Sequence, residues 1–194
     1  SVAGHLNLTS NWLTSLQLAN SKDHSETFND GKFASLFETT RQQANWQNEW
    51  TIASHSRLIQ GFDYLDDQID SSTHFNRTER DNLGIYGQYL LSLDVHELEL
   101  SGRSDDNEQY GRHNTGSLAW GIDLGHGVQG YASYGTAFKA PSFNELYYPN
   151  SGNPNLQPEK SASSELGLIS NPNITNIIIW LSQAKPSWNR KVVF

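Results

Sequence analysis

A chain of 194 residues with 13 Lys and Arg against 21 Asp and Glu carries a net charge of −8, and lacks the clustered basic footprint of a nucleic-acid-binding surface. It has no cysteine, which excludes disulfides and thiolate metal sites. Only 36% of residues are hydrophobic, and no run approaches the roughly 20 apolar residues of a transmembrane helix. A membrane β-barrel stays open, because only alternate residues of its strands face lipid. Ser1 is not followed by the basic and apolar stretches of a signal peptide, so the chain is expected to begin inside a longer protein.

Alternation of apolar and polar residues lays out the strands in order. Gly4–Leu8 is short and closes in a turn at Thr9-Ser10-Asn11. Trp12–Asn20 follows, with Trp12, Leu16 and Leu18 on one face and Ser15 and Gln17 on the other. Residues 21–39 are polar and read as a large loop. Gln43–Ala53 aligns Ala44, Trp46, Trp50 and Ile52, and a turn at Ser54-His55-Ser56 leads to Arg57–Leu65, which aligns Leu58, Phe62 and Tyr64. Residues 66–77 read as a second polar loop.

Asn82–Leu93 aligns Leu83, Ile85, Tyr89, Leu91 and Leu93, and turns at Asp94-Val95-His96. Glu97–Arg103 then shows the clearest alternation, Leu98 and Leu100 against Glu97, Glu99 and Arg103. Residues 104–110 read as an acidic loop, Thr115–Leu124 as a strand, and Gly125-His126-Gly127 as a hairpin turn. Tyr131–Phe138 is extended. Pro141, Pro149, Pro154 and Pro158 break the ladder, since proline has no N–H to donate, and the chain returns as a strand over Ser161–Leu168. The class is therefore all-β, with about nine antiparallel up-and-down strands. Tight turns gather at one end and long polar loops at the other, as in part of a transmembrane β-barrel.

Catalytic chemistry finds no constellation. The histidines are scattered without zinc spacing, no G-x-S-x-G elbow is present, and Asp105 and Asp106 are neighbours on a strand that point to opposite faces. An enzyme is not expected.

Two stretches carry a family resemblance. YGTAFKAPSFNELY (residues 134–147) followed by GNPNLQPEKS (152–161) resembles the strand-and-loop signature of TonB-dependent outer-membrane receptors. RSDDNEQYGRHNTGSLAW (103–120) is similar to the branch of that family that takes up vitamin B12 (cobalamin). The resemblance covers residues 2–168 and divides the chain into a partial barrel, 1–170, and a tail, 171–194, that departs from the family.

It implies a Gram-negative outer-membrane protein in contact with lipid, whose complete barrel of 22 strands encloses a plug. Cobalamin would be the transported ligand, and TonB would act through that plug, which this stretch does not contain, so the chain is expected to be inactive alone. By the same resemblance Ser35 and a hydroxyl among Ser71, Ser72 and Thr73 lie near ligand-contacting positions, with Phe33, Tyr147 and Tyr148 to cover apolar faces of the ligand. Calcium in acidic outer loops is a further implication, with Asp23 and Asp30 as candidates, although Ala34 stands where an aspartate ligand is expected. The alternatives are ordinary solvated loop residues at these positions, a receptor for an iron-siderophore or haem, a soluble β-sandwich binding module, and a non-functional gene remnant.

Overall fold

The computed structural model describes residues 1–75, 77–148, 151–170 and 179–186, the last stretch by its backbone path. The strands are β1 (Val2–Thr9), β2 (Trp12–Asn29), β3 (Lys32–Ala53), β4 (Ser56–Ser71), β5 (Glu79–Leu93), β6 (His96–Asn107), β7 (Gly111–Gly125), β8 (Val128–Lys139), β9 (Glu159–Ser170) and β10 (Ile179–Pro186). They form one antiparallel sheet in the order of the sequence, each strand paired with the next. Among the described residues one short helix, α1 (Phe143–Tyr147), interrupts the connection from β8 to β9.

Register explains why the sheet has an oily face and a wet one. Leu16 lies opposite Trp46, Trp46 opposite Phe62 and Phe62 opposite Ile85. Farther along, Tyr89, Leu100, Leu118 and Tyr134 continue a similar row. These side chains are large and apolar, and all but the half-buried Tyr89 are exposed. So extensive an apolar surface is what a lipid-facing barrel wall presents. Near the tight-turn end the Trp12 and Trp50 rings stack at 5.6 Å, and the Trp12 indole N–H donates to Asn48 at 2.9 Å. Amphipathic rings of this kind mark a membrane–water boundary.

The opposite face is polar and cross-braced. Arg103 on β6 donates to both carboxylate oxygens of Asp63 on β4, at 2.7 and 2.8 Å, and to Asp105 at 2.6 and 2.7 Å. The intervening strand β5 passes beneath at Gly84, where an added Cβ would collide with the Arg103 guanidinium. Asn82 completes the group by donating to Asp105 at 3.0 Å. Two inward tyrosines use glycine differently. Tyr86 stands opposite Gly61 and Tyr131 opposite Gly167, and each ring lies over the bare backbone of its partner.

Three expected loops are wholly or partly strand. Over residues 21–39, β2 and β3 stay paired to a two-residue turn at Asp30-Gly31, with φ of 50° and 75°. Of residues 66–77, β4 continues to Ser71. Of residues 104–110, β6 continues to Asn107. The reason is length. A strand crosses a bilayer in about 9–11 residues, whereas β3 has 22. Above the lipid, water meets both faces, so apolar alternation fades while the backbone ladder continues.

Beside the nine strands expected up to Ser170, the described residues include a tenth. Part of the expected tail, residues 179–186, pairs with β9, and residues 171–178 and 187–194 lie outside the described residues.

Two substitutions test this architecture. Leu100→Arg places a charge on the lipid face and is expected to cost about 2–4 kcal/mol at mid-bilayer, with Glu99→Ala on the wet face mild. Equal losses in urea unfolding from vesicles would refute the assignment of faces. Gly84→Ala is expected to displace Arg103 and destabilise by about 1–3 kcal/mol, as overpacking does, with no such loss for Gly102→Ala, whose added Cβ meets nothing within 4 Å.

Candidate functional site

The buried apolar residues lie at the long-strand end, where the β8–β9 connection folds back onto the wall. Phe37 of β3, Ile69 of β4 and Phe143 of α1 form one cluster, with Phe75, Tyr147 and Tyr148 packed against it. Helix α1 is short but well capped. Glu145 N–H donates to the Ser142 hydroxyl at 3.2 Å, and Ser142 N–H donates to the Glu145 carboxylate at 2.7 Å. This reciprocal pair is a capping box. The chain then turns sharply at Gly152, whose N–H donates to Tyr148 O at 2.7 Å. A Cβ there would lie 2.6 Å from Tyr148 N and 2.7 Å from Leu146 O.

Between this connection and the β3 and β4 ends lies a cleft of ≈ 670 Å³. Its lining includes Ser35, Ser72, Thr73, Phe75, Tyr147 and Tyr148. The Tyr148 hydroxyl reaches Ser25 at 3.2 Å, and its ring sits 5.3 Å from that of Phe37. Tyr147 packs on Phe75 at 5.0 Å and on Phe143 at 5.7 Å. Hydroxyls on one side and aromatic faces on the other suit a large ligand with both amide and apolar surfaces.

Five of the residues expected at the site, Ser35, Ser72, Thr73, Tyr147 and Tyr148, therefore meet at one cleft. Ser71 stands beside it, donating to Leu36 O at 3.1 Å and accepting from Thr73 N–H at 3.2 Å. Phe33 is near the tip of the β2–β3 hairpin, edge-on to Phe28 at 6.1 Å. Asp23 and Asp30 do not converge. Asp30 is in the hairpin turn, and Asp23 pairs with Thr39, seven residues down the strand, or about 23 Å at 3.3 Å per residue. Among the described residues no cluster of three or more His, Asp or Glu is arranged to hold a metal ion.

Sequence reasoning missed Phe37, Phe75, Phe143 and Leu146 as partners of the cleft. Phe75 and Phe143 are single aromatics in polar sequence, and Ser142-x-x-Glu145 is a readable helix-start signal. Charge reinforces the cap. The Ser142 backbone N–H, its hydroxyl and Lys139 together hold the Glu145 carboxyl below its usual range. On the neighbouring turn Arg77 holds Glu108 low, and burial pushes the Tyr110 hydroxyl up.

Comparison with known proteins identifies the architecture. The family model described as TonB dependent receptor-like, beta-barrel matches residues 1–181; the chain belongs to this family of Gram-negative outer-membrane receptors, and the soluble β-sandwich alternative falls. It is similar to the vitamin B12 transporter BtuB of Vibrio vulnificus, at 38% identity over 179 residues, 88% of this chain and 29% of that protein. Against the vitamin B12 transporter BtuB of Photobacterium profundum identity is 38% over 152 residues, 78% of this chain and 25% of the relative. The chain thus spans less than a third of the length of these curated relatives. Among solved structures it superposes on a mutant of the ferric enterobactin receptor PfeA of Pseudomonas aeruginosa with a TM-score of 0.72 at 15% identity, over 94% of this chain and 33% of that one. The siderophore receptor PirA of Acinetobacter baumannii gives 0.65 at 17%, over 95% and 34%. At such identities the likeness concerns the fold.

Loss of the cap should loosen α1. Ser142→Ala is expected to weaken it by about 1 kcal/mol, read as faster amide exchange over residues 143–147. Because the folded-state pKa of Glu145 is lowered, its contribution is complete above the usual glutamate range and disappears as pH falls through the lowered value. Amide protection of α1 should therefore fall as pH drops below the usual glutamate range relative to Glu145→Gln, which should show no such step.

Proposed function

We propose that this chain supplies wall strands and part of the ligand-binding mouth of a TonB-dependent outer-membrane receptor for cobalamin. The observation that carries the reading is the 38% identity over 179 residues to a protein described as a vitamin B12 transporter. The cleft supports it. Ser35 and Thr73 offer hydroxyls to side-chain amides of a corrinoid, Tyr147 and Tyr148 offer aromatic faces, and Ser71 and Phe33 flank the same mouth. A ligand of that size is captured by shape and many weak contacts rather than by diffusion through an open pore.

Release would require energy passed from TonB through a plug, and the described strands hold no such element. The wall segment alone is accordingly read as inactive in uptake. An iron-siderophore receptor is the second reading, favoured by the breadth of the YGTAFKAP-type signature.

The test places residues 1–181 in the corresponding position of the Vibrio vulnificus relative and measures labelled cyanocobalamin binding and uptake by cells lacking their own receptor. Saturable uptake that falls at least about tenfold with Tyr147→Ala/Tyr148→Ala, as for loss of paired aromatic anchors, is the expected result. A chimera that reaches the membrane and binds a ferric siderophore but no cyanocobalamin would replace the first reading with the second.

A further inference from the structure

Arg80, at the start of β5, is 5% exposed and does not line the cleft. Its Nη1 donates to the carbonyl of Pro141 at 2.8 Å, 61 residues away in sequence. The guanidinium carbon lies 4.9 Å from the centre of the Phe143 ring. Nη2 stands 3.6 Å from Asp67, a carboxylate 1% exposed that already accepts two bonds from Arg41, at 2.6 and 2.9 Å. A weaker contact reaches Gln109 at 3.4 Å.

One buried carboxylate is therefore shared by two guanidiniums. Much of what stabilises the second cation comes from the β8–β9 connection, through a carbonyl dipole and a ring face. If the connection lifted, Arg80 would lose both and keep a share of Asp67 and the long contact to Gln109, and an underpaired buried charge is costly. The wall thus grips the connection at the two ends of a short stretch, Pro141 and Phe143, which leads into the helix whose C-terminal end carries Tyr147 and Tyr148.

We infer that Arg80 is a positioning residue for ligand recognition: by clamping the β8–β9 connection to the wall it holds Tyr147 and Tyr148 in one orientation at the cleft. The inference rests on the cleft being the ligand site. Its physical content is preorganisation, in which the cost of ordering the tyrosines is met in folding and not at binding. Lysine cannot substitute, because the same side chain must meet a carbonyl, a carboxylate and a ring face at once, which requires a planar fork.

The test uses the complete chimeric receptor and reads two quantities, the Kd for cyanocobalamin and amide protection over residues 142–148. Arg80→Gln and Arg80→Lys are each expected to weaken binding about tenfold while protection of α1 falls, with the barrel's melting temperature unchanged. In the Tyr147→Ala/Tyr148→Ala background, Arg80→Gln should add no further loss, because it acts through those rings. Additive losses, or unaltered affinity after Arg80→Gln in a receptor whose tyrosine variant is impaired, would overturn the positioning role and leave the cleft standing. Unaltered affinity in the tyrosine variant would instead remove the cleft, and the inference with it. Should Arg80→Gln fail to reach the membrane, Phe143→Leu removes the ring face at similar volume and carries the same comparison.

Discussion

In hydrocarbon there is no water to satisfy an idle peptide group, so each N–H and C=O must find its partner within the protein. The antiparallel ladder from β1 to β10 answers that demand, and much else follows from it. Pairing in register puts Leu16, Trp46, Phe62 and Ile85 on one surface. It also leaves Asp63, Asp105 and Arg103 on the other, where they satisfy one another. The apolar residues of the wall therefore do not make a core in the usual sense; lipid takes that part.

Above the lipid the same ladder has a different task. The extended ends of β2, β3 and β4 stand in water and are held by backbone bonds and by exposed pairs such as Lys22 with Glu38, 2.6 Å apart. They supply a rigid surface on which the β8–β9 connection can pack, and Phe37 and Ile69 are the apolar footing for it. The cleft lies at this junction. Its hydroxyls come mainly from the wall and the segment after β4, and its tyrosines from the far connection, so a ligand there touches parts of the chain more than a hundred residues apart. Such a site is only as well defined as the contacts that hold the connection down, which is why the polar group around Asp67 matters to it.

The wall was legible in sequence because lipid imposes a strict period of two. Leu98 and Leu100 against Glu97 and Glu99 gave both the strand and its faces. The extensions were less legible, since water on both sides imposes no period, and residues 21–39 read as loop although Asp30-Gly31 is a strong hairpin-turn pair. Ser35, Thr73, Tyr147 and Tyr148 reached the candidate site through family resemblance, not through any local pattern. Arg80 escaped both routes. Its partners, Asp67, Pro141 and Phe143, are brought to it only by the fold, and an arginine in polar sequence looks like any solvated charge. Helix α1 lay between, announced by Ser142 and Glu145 but embedded among prolines that argue for irregular chain.

Alternation has a blind spot that the Arg103 brace removes. Shifting a strand by two residues keeps every apolar side chain on the lipid face, so the oily pattern cannot distinguish the native pairing from that slip. The brace can, because it passes over β5 and requires bare backbone beneath it. Moving β5 two positions in either direction would bring Asn82 or Tyr86 under the guanidinium in place of Gly84. A single glycine thus works as an index mark for one alignment of β4, β5 and β6.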